Sequence, residues 1–310
     1  MIKAFVQAAR PKTLALALAG PIVAAALASI IFSWDKSVFM WQVLTTVGLQ
    51  VLSNFANDYG DFAKGTDQAA NRSDRALASG AISHETMKKA LYVVTAFTLI
   101  AGIMLLRSSL NGGQFVAFFV LGIMAIAAAI NYTVGKKAYG YHKLGDAFVF
   151  VFFGWVSVAG GFYLHTYSLT IESALLSTAF GFLAMAVLNI NNIRDIDTDL
   201  LSNKKTMANS MGKQKAISYQ RFLLMGAWLL NVLALVMRQI AIWGGHKPEF
   251  SQLALVPVVF LPFLLMYMFH LSALKAATVQ QDYNIQLRNV SLLCLSLAIY
   301  WVMLGKLLFI

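Results

Sequence analysis

Nine stretches of this chain contain no Asp, Glu, Lys or Arg, and most are long enough to cross a lipid bilayer as one helix. Such a crossing needs about 20 apolar residues. Backbone polar groups inside a bilayer must bond within their own segment, so only helices fit these lengths. The stretches are 13–34, 37–57, 90–106, 108–135, 147–171, 173–193, 222–237, 250–274 and 289–305. We therefore predict an all-α, polytopic membrane protein with nine transmembrane helices.

The few charges of the chain are divided unequally between the two sides of the predicted membrane. Charged residues make up only 12% of the 310 residues, too few to cover a soluble protein of this size. Of the 24 Lys and Arg residues, 19 lie in the N-terminal segment and the loops 58–89, 132–146, 194–221 and 275–288. The positive-inside rule then predicts an inner-membrane protein with a cytoplasmic N-terminus and an outside C-terminus. The net charge of +11 thus indicates the lipid bilayer as partner, and no nucleic acid.

Two of these cytoplasmic loops hold most of the acidic residues. Of the 13 acids, five lie in 58–89 and three in 194–221, and each loop follows an even-numbered helix. The segments 57–61 (NDYGD) and 191–195 (NNIRD) share the pattern Asn-[Asp/Asn]-x-x-Asp. We predict a single membrane domain over 1–310, built from two similar four-helix halves plus a final helix, with the active site between the halves.

On a helix, the polar residues of each acidic cluster fall on one face, because positions three, four and seven apart are neighbours. These positions are Asn54, Asp58 and Asp61 in the first cluster and Asn192, Asp195 and Asp199 in the second. A purely structural alternative is solvated loop acids, or helix-end ion pairs with Lys64 or Arg194. The placement of eight acids in two matched loops favours a functional site instead.

The chemistry of these side chains favours a hard divalent cation. All-oxygen ligands with several carboxylates suit Mg²⁺, and Mn²⁺ is also compatible. Mg²⁺ prefers one or two protein carboxylates together with phosphate oxygens of a substrate. Each cluster can therefore hold one metal, with a diphosphate between them, surrounded by the basic residues Lys64, Arg72, Arg75, Lys136, Lys137, Lys143, Arg194, Lys204 and Lys205. A diphosphate site that opens into a membrane protein predicts a lipid diphosphate substrate.

The chain resembles the UbiA superfamily of intramembrane aromatic prenyltransferases. The runs 54–67 and 191–199 are similar to the two acidic signatures of that family, and Tyr132-x-x-x-Lys136 follows the fourth helix. The segments 10–14 (RPKTL) and 205–208 (KTMA) are similar to members that act on 1,4-dihydroxy-2-naphthoate. The resemblance implies Mg²⁺-dependent transfer of a polyprenyl group from polyprenyl diphosphate to this acceptor. Decarboxylation then gives demethylmenaquinone, an intermediate of menaquinone biosynthesis.

The resemblance also implies roles for individual residues. One metal is held by Asn54, Asp58 and Asp61, and the other by Asn192, Asp195 and Asp199. The diphosphate is bound by Arg72, Arg75, Lys136 and Lys205, with Tyr132 and Arg194 as further substrate-binding residues of the motifs. Asp67 orients the acceptor or acts as a base, and Arg10 contacts either the acceptor carboxylate or a lipid headgroup.

Other interpretations remain open for parts of this pattern. The acceptor could be another aromatic compound such as 4-hydroxybenzoate. A cation-coupled transporter is the alternative from a different class, but transporters often place ion sites near the bilayer midplane within inverted repeats. Here the acids lie at helix ends and the repeat runs in parallel. Gly160 and Gly161 in the fifth predicted helix are expected to permit close helix packing rather than to bind phosphate.

Overall fold

The computed structural model describes residues 1–66, 75–135, 138–242 and 250–308, and all of its long elements are helices. The helices are α1 (Ile2–Ala8), α2 (Pro11–Ile31), α3 (Lys36–Ala63), α4 (His84–Ser109), α5 (Gly112–Asn131), α6 (Gly145–Thr166), α7 (Ile171–Arg194), α8 (Ile196–Leu201), α9 (Met207–Met211), α10 (Lys213–Ile242), α11 (Phe250–Val259), α12 (Leu261–Ala276) and α13 (Gln280–Leu308). The middle of α6, Phe150–Gly160, is a π-helix. Tyr139–Tyr141 forms a single 3₁₀ turn between α5 and α6.

Eight helices in the described ranges are long and apolar enough to cross a membrane, which confirms the prediction of an all-α polytopic protein. The predicted helix 250–274 is not a single span, because it is broken at Phe260 into α11 with 10 residues and α12 with 16. Pro257 lies inside α11, and Pro262 begins α12. A proline lacks the backbone N–H and clashes with the preceding turn, so two prolines this close interrupt a helix.

The helices α3 and α7 deliver the two acidic motifs to the same end of the bundle. Asp35 caps α3, because its side chain accepts a hydrogen bond from the backbone N–H of Val38 at 2.9 Å. Thr170 and Ser173 form a capping box at the start of α7. Such caps satisfy backbone donors that lack a partner within the helix. Both helices end in their motif, and we call the end of the bundle where they do so the motif end.

The core of the protein is largest around α7. A cluster of buried apolar residues from α2, α7, α10, α12 and α13 includes Leu27, Leu183, Leu223 and Trp301, all fully buried. The helices α3, α4 and α5 pack mainly on one another. A cavity is left between this group and α2, α6 and α7. The packing therefore places a cavity along the bundle and the two acidic motifs at one end of it.

Candidate active site

The first acidic motif is buried at the end of α3 and is paired with two arginines. The side chain of Asp58 is 2% exposed, and its Oδ1 accepts a hydrogen bond from Arg10 Nη2 at 2.6 Å. Arg75 makes a second, very short ion pair with the same oxygen. The amide oxygen of Asn57 lies 3.4 Å and 3.3 Å from the two guanidinium groups. Arg10 and Arg75, both predicted as substrate-binding residues, thus meet at one carboxylate.

Asn54, one turn earlier on α3, connects the motif to the start of the chain. Its amide nitrogen donates to the backbone oxygen of Ala9 at 2.8 Å and to Thr13 Oγ1 at 3.2 Å. These bonds hold the segment that carries Arg10 against the motif helix. The amide oxygen of Asn54 has a single long contact, from Gln50 at 3.4 Å. Its predicted role as a metal ligand remains a prediction.

The second acidic motif continues from the last turn of α7 into the short helix α8. Arg194 makes a bidentate pair with Asp195 through bonds of 2.8 Å and 2.7 Å. It also donates to Asn191 and to Asn284 of α13, each at 2.7 Å. The helix-end ion pair considered from the sequence therefore exists at Arg194. It fixes the motif to the final helix.

Two oxygens of this motif are buried without a hydrogen-bond partner among the described residues. They are Asn192 Oδ1 and Asp199 Oδ2. A buried polar atom without a partner is costly, and in natural structures it often marks a site for an ion, water or ligand. The other carboxylate oxygen of Asp199 is 3.3 Å from Lys204 Nζ. Asp199 is 3% exposed.

Lys204 is buried near acids of both motifs. Burial works to lower the pKa of Lys204, but the charges of Asp61 and Asp199 outweigh it, so this pKa is raised. Burial raises the pKa of Asp199 to about 6, although Lys204 opposes this shift. The hydroxyl of Tyr141 donates to Asp61 Oδ1 at 2.8 Å, and its ring centre is 5.7 Å from Lys204 Nζ. One ammonium group therefore connects the two motifs electrostatically.

A short backbone link explains why Lys204, and not its neighbour, points inward. The N–H of Lys205 donates to the backbone oxygen of Tyr141 at 3.2 Å, and the N–H of Lys143 donates to the backbone oxygen of Lys205 at 2.9 Å. Asn203 has a φ of 54°, a left-handed conformation that turns the chain just before Lys204. Lys205 is exposed as a result. The role predicted for Lys205 at the diphosphate stays a prediction.

Sequence reasoning gave neither Lys204 nor Tyr141 an individual role at the site. Lys204 was one of nine basic residues expected around the diphosphate, and Tyr141 was one of three tyrosines expected either to line the pocket or to anchor at the membrane interface. Tyr132, which was predicted, lies half-buried at the end of α5, and burial raises its pKa to about 12. The predicted residues Asp67, Arg72 and Lys136 lie outside the described residues.

The cavity begins at the motifs and continues between apolar walls. It has a volume of about 290 Å³, and Arg10, Asn54, Asn57 and Asn191 line its polar end. Aromatic rings line the cavity next to this polar end. Tyr132 packs edge-to-face on Tyr139 with ring centres 5.4 Å apart, and Tyr139 stacks on Phe148 at 3.9 Å. The cavity therefore offers charged and amide groups at one end, then aromatic rings, then aliphatic side chains.

The donor atoms at the polar end fit a divalent metal that also binds substrate oxygens. They are carboxylate and amide oxygens, the ligands that Mg²⁺ prefers. In the part of the chain that the structure describes, no three His, Cys, Asp or Glu side chains come together as a complete metal site.

A family model for the UbiA prenyltransferase family matches residues 13–283. The chain belongs to the UbiA prenyltransferase family. It is 41% identical over 244 residues to the 1,4-dihydroxy-2-naphthoate octaprenyltransferase of Escherichia coli (strain K12), which covers 78% of this chain and 79% of the relative. The enzyme of the same name from Haemophilus influenzae is 43% identical over 227 residues, covering 72% and 74% of the two chains. The family predicted from the motifs is confirmed.

A solved structure shares the fold of this UbiA family member. It is a UbiA homologue from Archaeoglobus fulgidus bound to GPP and Mg²⁺, with a TM-score of 0.64 and 13% sequence identity. The match covers 97% of this chain and 99% of that one. At this identity the likeness shows a common arrangement of helices.

Proposed function

We propose that this UbiA family member transfers a polyprenyl group from polyprenyl diphosphate to 1,4-dihydroxy-2-naphthoate, with loss of CO₂, to give demethylmenaquinone. The observation that carries the proposal is the pair of buried acidic motifs, connected by Lys204, at the polar end of an apolar cavity. The names of the relatives from Escherichia coli and Haemophilus influenzae support the choice of acceptor.

Mg²⁺ is the proposed cofactor, and Mn²⁺ is a chemically similar substitute. Asn54, Asp58 and Asp61 would hold one ion, and Asn192, Asp195 and Asp199 the other. When bound, the metal supplies positive charge that stabilises the departing diphosphate. The presence of GPP and Mg²⁺ in the Archaeoglobus fulgidus structure supports this assignment.

The protein's own cations assist the loss of diphosphate. Arg75 is ion-paired with Asp58 and Lys204 with Asp199, in the two motifs that meet the polar end of the cavity, where negative charge develops on the leaving group. Preorganised charges of this kind stabilise a transition state without costly rearrangement. Arg72, Lys136 and Lys205 are proposed to extend this cationic surface, as the motifs of the family imply.

The aromatic rings below the motifs protect the carbon that the diphosphate leaves. Loss of diphosphate leaves an allylic cation on the tail, and the faces of Tyr132, Tyr139 and Phe148 stabilise a nearby cation. The apolar walls keep out water that would capture this cation. The electron-rich naphthoate ring attacks it instead, forms the new C–C bond and releases its carboxyl group as CO₂. Arg10 is proposed to contact that carboxylate before it leaves.

We also propose that residues 1–310 form one membrane domain of the bacterial inner membrane, with the motif end in the cytoplasm. The excess of Lys and Arg in the loops at this end supports that orientation. A cytoplasmic motif end gives the water-soluble acceptor direct access to the polar end of the cavity. The prenyl tail enters the same cavity from the lipid.

The proposal is tested by turnover of the purified protein in detergent with a prenyl diphosphate. 1,4-Dihydroxy-2-naphthoate and 4-hydroxybenzoate are offered separately, with Mg²⁺ or with EDTA, and products are identified by mass. We expect a product that forms only with Mg²⁺. Its mass should show that the naphthoate has gained the prenyl group and lost CO₂. Product with 4-hydroxybenzoate alone would refute the proposed acceptor, and absence of product with both would refute the proposed reaction.

A further inference from the structure

The glycines of the membrane helices fall into two groups. Glycine destabilises the interior of a helix relative to alanine, so its presence there calls for a reason. For Gly154 and Gly161 the reason is close packing, because an added Cβ would lie 2.5 Å from the backbone oxygen of Ser177 and 1.9 Å from Gln42 Nε2. The close-packing prediction therefore holds for Gly161 but does not extend to Gly160.

At three glycines that line the cavity, an added Cβ would meet no atom closer than 3.8 Å. An added Cβ at Gly102 or Gly160 would have its nearest neighbour at 3.8 Å, and one at Gly122 would meet no atom within 4 Å. These glycines belong to three different helices, α4, α5 and α6, and all three line the cavity. Helix packing does not account for them. What they share is that each leaves room inside the cavity.

The far end of the cavity is closed by aromatic side chains. Phe118 of α5 stacks on Tyr163 of α6 with ring centres 5.5 Å apart, and Gln114 donates to the hydroxyl of Tyr163 at 2.8 Å. Leu105 and Leu164 complete the apolar cluster at this end. Gly160 lies just before this closure, since its added Cβ would be 3.8 Å from the ring of Phe118.

The π-helix of α6 presents one continuous wall to the cavity. In an α-helix of about 3.6 residues per turn, positions four apart rotate progressively off a common line. In the wider turns of a π-helix, positions four apart fall short of a full turn, so this segment rotates in the opposite sense. Phe148, Phe152, Val156 and Gly160, spaced by four, all line the cavity. This wall extends from the aromatic rings near the motifs to the open space at Gly160.

A long prenyl tail needs all of this space and more. Gly122 lines the cavity and is also exposed on the surface of the bundle. α5 packs mainly on α3 and α4 and contacts α6 at Phe118 and Tyr163, so the exposed surface at Gly122 is where a longer tail can leave the cavity.

We propose that Gly102, Gly122 and Gly160 determine how long a prenyl tail this protein accepts, with Gly160 controlling the part of the cavity remote from the motifs. The inference rests on the proposed function, because it assigns the tail of the same prenyl diphosphate to this space. A side chain at Gly160 fills the space before Phe118 and Tyr163. Long tails then no longer fit into this part of the cavity, whereas short tails end before they reach it.

The test compares geranyl diphosphate with octaprenyl diphosphate in the purified Gly160→Leu protein. We expect the ratio of kcat/KM for octaprenyl over geranyl diphosphate to fall roughly ten-fold or more, as is typical when a hydrophobic pocket is obstructed. Gly160→Ala, whose Cβ makes only ordinary contacts, should change the ratio much less. Gly122→Leu provides a second obstruction on the opposite wall and should lower the ratio as well.

Gly113→Leu is the matched control, because Gly113 is an exposed residue of α5 outside the cavity. An equal change in kcat/KM for both substrates in Gly160→Leu and Gly122→Leu, or the same ratio change in Gly113→Leu, would overturn the proposal.

If the wild-type protein gives no prenylated product, the proposed function fails instead. The tail assignment is then decided by protection against thermal unfolding. Octaprenyl diphosphate should protect wild type better than it protects Gly160→Leu, and equal protection would refute the assignment.

Discussion

Replacing Lys204 with methionine removes the cation that connects the two acidic motifs but keeps much of the side-chain volume. The ammonium lies 3.3 Å from Asp199 Oδ1, which at an effective dielectric constant of 20 corresponds to about 5 kcal/mol of attraction. Removing one partner of a buried pair costs about 3–5 kcal/mol. Asp199 has a pKa of about 6 and can take up a proton once Lys204 is gone. We therefore expect a loss of about 3 kcal/mol in the free energy of unfolding.

Lys204→Met should also lower turnover of the protein that remains folded. Loss of one preorganised group that stabilises developing charge typically lowers kcat by about 100- to 1000-fold. The assay measures kcat and KM for the prenyl diphosphate at saturating Mg²⁺, together with the melting temperature in detergent. Lys215→Met is the control, because this lysine is exposed and has no proposed role at the site. Equal or greater damage from Lys215→Met would refute the assignment of the buried lysine.

Four further substitutions test other parts of the site and the fold. Asp58→Ala and Asp195→Ala should each abolish turnover of correctly inserted protein, and an active variant of either would contradict the two-metal proposal. Tyr141→Phe removes the hydrogen bond to Asp61 and should lower kcat/KM about ten-fold. It should lower the free energy of unfolding by no more than about 1 kcal/mol. Gly154→Ala forces a Cβ against the backbone of α7 and should destabilise the protein by about 1–3 kcal/mol in thermal unfolding, and an unchanged melting temperature would contradict this packing.

Some features of the site followed from local spacing in the sequence. Asp58 and Asp61 were expected on one helix face, and the structure buries both at the end of α3. The ion pair between Arg194 and Asp195 joins neighbouring residues and was among the sequence alternatives. The convergence of Arg10 and Arg75 on Asp58 was not predictable in this way. It joins three parts of the chain that only the folded bundle brings together.

The amino-acid sequence by itself determined that this protein is an all-α membrane protein of the UbiA prenyltransferase family, because charge-free lengths and motif spacing are local properties. Only the tertiary structure decided which of two adjacent residues is buried at the site. Lys204 is inside and Lys205 outside because the chain turns at Asn203 and pairs with the backbone near Tyr141. Gly161 is packed and Gly160 open because Gln42 approaches one and not the other. Such choices depend on contacts between distant segments, which no local pattern encodes.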